Sequence, residues 1–412
     1  MVKFLLKEAL EEIKPSIEYK KEILGKADEI IKKINRGLKN ANAVLGGSGA
    51  KGTWLKTFDA DIFVKFDYNK FKDKDDKLAD ILEKFLKRHF KIERLHGSRD
   101  YFQIRKENFT FEIIPILRIK KAEQAKNITD ISPLHSDFVL KHKNLTNEIR
   151  LTKQFFRAAN VYGAESYIRG FSGYVCELLT IYYSSFLDCI KAASKWKEKE
   201  VIDIKRYYKN KDIFAEMNLS KLTSPLIVID PVQKERNAAA ALSYEKFSLL
   251  KSKAKEFLKK PSRDFFEQHV LTKSELAKKY KNILFFEVTP LKRKEDVAGA
   301  KMLKSFNFIK KDLIDNGFEA IDANMVWDKK GNAFFYYALK DMEISKTFEM
   351  NGPPLKIKMH ASLFRKKHKN TFIRDKRIFA VEKRKFSNAG DLAKNSISSP
   401  NITNNVNQIR LI

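Results

Sequence analysis

Apolar residues at Ile23, Ala27, Ile30, Ile31 and Ile34 recur at helical spacing, which predicts a helix lying on the first domain with one face buried. The period then shortens to two. Ala43 to Leu45 reads as a short strand, and from Asp59 to Phe66 the residues Asp59, Asp61, Phe63 and Lys65 alternate with Ala60, Ile62, Val64 and Phe66, so that one face carries acids and the other packs on helices. Leu78, Ile81, Leu82, Phe85 and Leu86 predict a helix over 76–92, and Tyr101 to Arg105 and Phe109 to Ile119 look like paired strands. In the second of these, Glu112 points the same way as Thr110 and Ile114, the only acid in otherwise apolar or aromatic surroundings.

From about residue 145 to 255 the pattern turns helical, with Ile149, Lys153, Phe156 and Arg157 and then a long apolar helix from Tyr174 to Ala192. Leu226 to Pro231 is strand-like, and the four alanines from Ala238 to Ala241 suit the start of a helix. The last third mixes strands near Ile283 to Val288, Ala320 to Val326 and Ala333 to Leu339 with a helix near Lys301 to Asn316, which reads as α+β. Phe334, Phe335, Tyr336 and Tyr337 alternate on one of these strands and read as core. Asn351-Gly352-Pro353-Pro354 marks a break, the polar stretch Ser387 to Asn407 is expected to be loose, and no internal repeat is visible.

A chain of 412 residues is too long for one core and should divide into about two to four domains. Lys and Arg outnumber Asp and Glu by 82 to 52, a formal charge of +30, which points to a polyanionic partner, nucleic acid first, bound with strong salt dependence. A Lys-rich proteome is the competing explanation. Two cysteines, Cys176 and Cys189, give neither a zinc nor a disulfide framework, so a reducing cytoplasm fits. The seven histidines show no metal-ligand spacing, no signal peptide is read, and no apolar run is long enough to span a bilayer.

The candidate chemistry sits early in the chain. A small-residue loop, Gly46-Gly47-Ser48-Gly49-Ala50-Lys51-Gly52, runs into the strand that carries Asp59 and Asp61. Two acids on one strand face repel unless a cation lies between them, and magnesium prefers carboxylate oxygens. The glycines leave backbone N–H groups open to an anion such as a triphosphate. Phosphate and metal sites side by side point to phosphoryl transfer, and a two-metal site needs a third acid, for which Glu112 is the candidate. By itself a strand glutamate more often belongs to a solvated face or a buried pair.

Gly47-Ser48 followed by Asp59-Ala60-Asp61 resembles the signature of the nucleotidyltransferase superfamily of DNA polymerase beta. Gly52-Thr53-Trp54-Leu55, Pro133 to Val139, Val161 to Glu165, Arg169 to Leu179 and Asp230-Pro231-Val232 with Arg236-Asn237 narrow the likeness to the archaeal, class I CCA-adding enzymes. It is strong from about residue 40 to 245 and weaker to about 385, through Gly352-Pro353-Pro354 and Arg377 to Ala380.

The resemblance implies an α+β multidomain fold: a polymerase beta-like catalytic head at 1–143, a helical neck at 144–258, a body at 259–323 and 371–412, and a tail at 324–370. It implies template-independent addition of C, C and A to the 3′ end of tRNA from CTP and ATP, with two magnesium ions on Asp59, Asp61 and Glu112 and a possible homodimer. Gly47, Ser48 and Lys51 would meet the nucleotide's phosphates, and His135, Lys153 and Tyr162 would line the triphosphate and sugar. Arg236 resembles the arginine that reads the base edge and Asp230 the neighbour that orients it. Outside that context Lys153, His135 and Tyr162 read as a surface lysine, a satisfied core histidine and a core tyrosine. The chain has Glu112 where the family has Asp. The alternatives are another polymerase beta-like RNA nucleotidyltransferase, such as a poly(A) polymerase or oligoadenylate synthase, and an RNA-binding homologue without turnover.

Overall fold

The computed structural model describes residues 2–56, 60–269, 271–329 and 331–412, which fall into two units, Met1–His269 and Val270–Ile412. The first unit opens with α1 (Val2–Ile13) and α2 (Ile17–Gly37). Ser16 separates them, because its hydroxyl accepts the Tyr19 N–H and caps the second helix. Ile23, Ala27, Ile30 and Ile34 form the buried face that their spacing predicts. Then follow β1 (Ala41–Leu45), α3 (Gly47–Lys51), β2 (Ala60–Phe66), α4 (Tyr68–Phe71), α5 (Leu78–Leu86), β3 (Ile92–Leu95), β4 (Tyr101–Lys106) and β5 (Phe109–Leu117).

These strands make one sheet in the order β1-β2-β5-β4-β3. Only β2 and β5 run parallel; the other pairs are antiparallel. Ala60, Ile62, Val64 and Phe66 pack with Phe111 and Ile113 against Ile30 and Ile34 of α2 and Leu82 and Leu86 of α5, each large apolar side chain contributing about 1.5–3 kcal/mol when fully buried. The face opposite this core carries Asp61 and Glu112. The helix predicted over 76–92 is confined to Leu78–Leu86, after a short 3-10 turn at Asp75–Lys77.

A second core in this unit is helical: α6 (Ser132–Leu140), α7 (Thr146–Ala158), α8 (Gly173–Tyr183), α9 (Phe186–Ala193), the parallel pair β6 (Glu200–Ile202) and β7 (Leu226–Val228) flanking α10 (Ile213–Glu216), and α11 (Tyr244–Lys259). The long helix expected from Tyr174 to Ala192 is two helices. Ser184 takes the left-handed conformation with φ 64°, and the Ser185 hydroxyl caps the next helix by accepting the Asp188 N–H, so the apolar run turns while Phe186 stays buried. The alanines Ala238 to Ala241 lie in turns, since Asn237 Oδ1 accepts the Ala239 and Val228 N–H groups and the helix waits for its cap at Ser243. Ala9 and Ile13 of α1 and Phe266 join this second core, so the packing sets the start of the chain and residues just past 258 with the neck helices rather than with the expected head and body.

The second unit contains α12 (Lys273–Lys279), β8 (Ile283–Thr289), α13 (Glu295–Asp315), β9 (Ala320–Trp327), β10 (Ala333–Leu339), β11 (Thr347–Pro354), α14 (Lys358–Lys367), β12 (Thr371–Arg374), β13 (Arg377–Lys383), α15 (Ala389–Ile397), α16 (Pro400–Thr403) and β14 (Gln408–Leu411). Its sheets have the orders β14-β8-β10-β9 and β11-β13-β12. The boundaries expected at 324–370 and 371–412 therefore cut through strand pairs, because β10 belongs with β8 and β9 while β12 and β13 belong with β11. Phe335 and Tyr337 are core residues. The break at Asn351 to Pro354 is a register shift within β11. Ser387 to Asn407 is not loose: it carries two helices that bury Leu392, Ala393 and Ile402, and Val406 just beyond them is buried too. Among the described residues no helix is long and apolar enough to cross a membrane.

Candidate active site

The parallel register sets Asp61 opposite Glu112. Both side chains leave the sheet on the face away from the Ile62 and Ile113 core, as strand alternation requires. Glu112 Oε1 accepts a hydrogen bond of 3.1 Å from Gln103 Nε2, its cross-strand partner on β4. Asp61 lies directly against the Gly46–Gly47 turn: its carbonyl accepts the Gly46 N–H at 2.7 Å, and a Cβ on Gly47, which has φ +52°, would stand 1.6 Å from Asp61 Oδ2. Only glycine fits there. The segment expected as an open loop is instead one tight helical turn, Gly47–Lys51, and Ser48 sits partly buried on it, its carbonyl accepting the Thr53 N–H at 3.1 Å.

Asp61 and Glu112 offer two adjacent sets of hard oxygen donors, the chemistry magnesium prefers. Asp59, the third acid of the expected metal site, lies outside the described residues. Among the described residues no group of three or more His, Cys, Asp and Glu could hold a metal ion.

A buried charge cluster follows the same turn. Lys51 Nζ donates to Glu177 Oε2 at 2.7 Å, Lys153 Nζ to Glu177 Oε1 at 2.7 Å and to Thr53 Oγ1 at 2.9 Å, and the Thr53 hydroxyl donates to Glu177 Oε1 at 2.7 Å. Glu177 is fully buried, with 0% exposure. Burial works to raise its pKa, but attraction to Lys153 and then Lys51 outweighs it and holds the carboxyl at about 2. Arg150 grips the same backbone, donating to the carbonyls of Trp54 at 2.9 Å and Gly52 at 2.6 Å. Residues of the sheet half and of the helical half thus meet through ions.

A third cluster gathers on Asp230, just after β7. Its Oδ2 is 2.9 Å from His135 Nε2 on α6 and accepts Arg236 Nη1 at 2.6 Å, while its Oδ1 accepts the Val232 N–H at 2.9 Å and the Tyr174 hydroxyl at 3.1 Å. Burial would raise the Asp230 pKa, but His135 first and then Arg236 and the Val232 N–H hold it down at about 2. A backbone bond of 3.0 Å from the Asp230 N–H to the Arg236 carbonyl closes the loop that presents Arg236. The Tyr174 ring stacks on His135 with centroids 4.1 Å apart. Tyr162, its hydroxyl pushed up to about 12 by burial, borders the start of α8, and Gly173 leaves the room that its hydroxyl and Lys153 Cε occupy.

Sequence reading thus picks out side chains that gather in three groups: Asp61 with Glu112 beside Gly47, Lys51 with Lys153, and His135 with Asp230 and Arg236. It gives no role to Glu177, Tyr174, Thr53 or Arg150. The signal for Glu177 is an isolated acid in the apolar run Val175-Cys176-Glu177-Leu178-Leu179, since a carboxylate survives burial only beside cations.

A sheet with a parallel pair presenting facing carboxylates beside a glycine turn, backed by a helical half, is the fold of the polymerase beta-like nucleotidyltransferases. Solved structures of Cid1 share it: a mutant of the Cid1 poly(U) polymerase bound to MgATP matches with a TM-score of 0.52 at 15% identity over 64% of this chain and 98% of that one, and a structure showing the plasticity of Cid1 matches with 0.52 at 15% over 66% and 100%. Residues 27–156 match the nucleotidyltransferase domain, 147–267 the second domain of tRNA nucleotidyltransferase and 283–408 the C-terminal domain of CCA-adding enzyme. The CCA-adding enzyme of Nanoarchaeum equitans is 36% identical over 92% of this chain and 91% of its own length. That of Methanocaldococcus jannaschii is 33% identical over 96% and 90%. The chain belongs to the CCA-adding enzymes, which are tRNA nucleotidyltransferases.

Proposed function

We propose that this protein adds C, C and A to the 3′ end of tRNA, using CTP twice and ATP once, with two magnesium ions on Asp59, Asp61 and Glu112. The observation that carries the reading is the register pairing of Asp61 with Glu112 beside Gly47, in a chain similar to CCA-adding enzymes over nearly its whole length. Magnesium bound there would acidify the terminal 3′-hydroxyl and neutralise charge on the triphosphate. Glu112 in place of a family Asp reaches one methylene further and retains the same oxygen donors.

The chain's own residues bind and orient. Lys51 spends one donor on Glu177 and keeps the rest of its ammonium for a phosphate oxygen. Lys153 already donates to Thr53 and Glu177, so it acts by fixing that wall and by its charge. Arg236, held at one end by Asp230 and with its side chain 31% exposed, retains guanidinium donors for acceptors on the base edge of cytosine or adenine. The formal charge of +30 suits the phosphates of tRNA.

The test incubates the protein with magnesium, CTP, ATP and tRNA lacking its 3′ CCA, and sequences the products. Three added residues reading C, C, A support the proposal. A homopolymer tail assigns the protein to the poly(A) polymerase kind of chemistry, and an unchanged end on tRNA that nevertheless binds makes it an RNA-binding homologue.

A further inference from the structure

Helix α8 touches two of the three charged groups with its first turn and a half. Tyr174 and Glu177 stand three positions apart on it, about 4.5 Å along the axis and on neighbouring parts of one face. Tyr174 serves Asp230 and His135, and Glu177 serves Lys51, Lys153 and Thr53. Lys51 Nζ also lies 5.9 Å from the centroid of the Tyr174 ring, so the groups adjoin along the helix. Glu177 is wholly buried, and Tyr174, partly buried, stacks on the His135 ring while its hydroxyl is spent on the Asp230 carboxylate.

We infer that Tyr174 and Glu177 are positioning residues that set the two ends of the nucleotide site from one helix: Tyr174 fixes the carboxylate that orients Arg236, and Glu177 fixes the ammonium groups of Lys51 and Lys153. The inference rests on the nucleotide-binding role proposed above for these three basic residues.

The two actions are physically distinct. One carboxylate between two ammonium groups leaves a net positive charge in a buried pocket, held at fixed geometry by bonds of 2.7 Å. Without that carboxylate the ammonium groups repel each other, and the wall that meets the phosphates loses its shape. Asp230 is different: among the described residues its Oδ2 is engaged by His135 and Arg236, and its Oδ1 by the Tyr174 hydroxyl and the Val232 N–H. Removing the hydroxyl leaves Oδ1 to the Val232 N–H and loosens the carboxylate, and the guanidinium plane that would read the base loosens with it.

The test uses the full chain carrying Tyr174→Phe or Glu177→Gln, each checked for folding by its melting temperature, in steady-state addition of the first C to tRNA lacking CCA. Tyr174→Phe should lower the preference for CTP over UTP, as a ratio of kcat/KM, by about tenfold while the KM for CTP moves less than about threefold. Glu177→Gln should raise the KM for CTP by about tenfold or more with that ratio unchanged. If Glu177→Gln fails to fold, Glu177→Asp, which keeps the charge but cannot reach both lysines at once, should show the same split more weakly. Wild-type constants in the folded variants, or an equal loss of every parameter in both, would overturn the inference. Calorimetric binding of magnesium–CTP and magnesium–UTP without tRNA reads the same contrast, so a wild-type protein that binds CTP but adds nothing would remove only the proposed function.

Discussion

Asp61 and Glu112 are register partners on adjacent parallel strands, and the Asp61 carboxylate fills the space that any side chain on Gly47 would need. The register of the pair is fixed by sheet hydrogen bonding, and the Gly47 turn bounds the Asp61 carboxylate. Asp61→Asn and Glu112→Gln keep size and register and remove one charge each. Either should lower nucleotide incorporation by about 10³-fold or more with tRNA affinity nearly unchanged, as read by gel shift. A large loss of tRNA binding would show that the acid is structural.

Gly47→Ala places a methyl group where Asp61 Oδ2 now lies, at a backbone with φ +52°. The left-handed conformation alone costs about 1 kcal/mol for a residue with a Cβ, and relieving the overlap must displace the carboxylate. Incorporation should fall by about tenfold or more with a small drop in melting temperature. Activity equal to wild type would mean that the turn does not set the carboxylate's position.

Glu177 and Asp230 both have carboxyl pKa values held at about 2, below their ordinary 4.5 and 3.8. Groups depressed in the folded state give stability that is full above the unfolded values and is lost as pH falls through that window toward the folded ones. The melting temperature should therefore decline between about pH 4.5 and 2, and the decline should be shallower in Glu177→Gln. Parallel curves for the two proteins would contradict the assignment of that acid limb to Glu177.

Leu392 and Ile402 come from a polar stretch yet are buried in the core of the second unit, at 1% and 0% exposure. Leu392→Ala or Ile402→Ala should destabilise that unit by about 2–5 kcal/mol in urea unfolding. A change below about 1 kcal/mol would fit an ordinary surface helix instead.

Element type follows closely from periodicity where one face is apolar and the other polar. Ile23 to Ile34, Ala60 to Phe66 and Phe109 to Leu117 form as their spacing predicts. The errors arise where a single polar side chain decides. Ser185 divides an apolar run into two helices and Asn237 keeps four alanines in turns, because local caps compete with propensities worth only a few tenths of a kcal/mol per residue, roughly. The stretch Ser387 to Asn407 looked loose because its few apolar residues, Leu392, Ala393, Ile402 and Val406, are sparse along the chain. Their partners lie far away in sequence.

By itself the sequence determined the kinds of side chain at the site: acids two positions apart in the chain, a run of glycines before them, lysines and an arginine for anions and bases. Those are local properties, set by strand alternation and by backbone sterics. Tertiary structure alone decided which of these groups become neighbours, setting Asp61 in register with Glu112 across parallel strands and seating Lys51 and Lys153 on one buried carboxylate. Parallel register and ion burial depend on contacts between residues tens of positions apart, and what selects them is the packing of two cores against each other, a property no single segment carries.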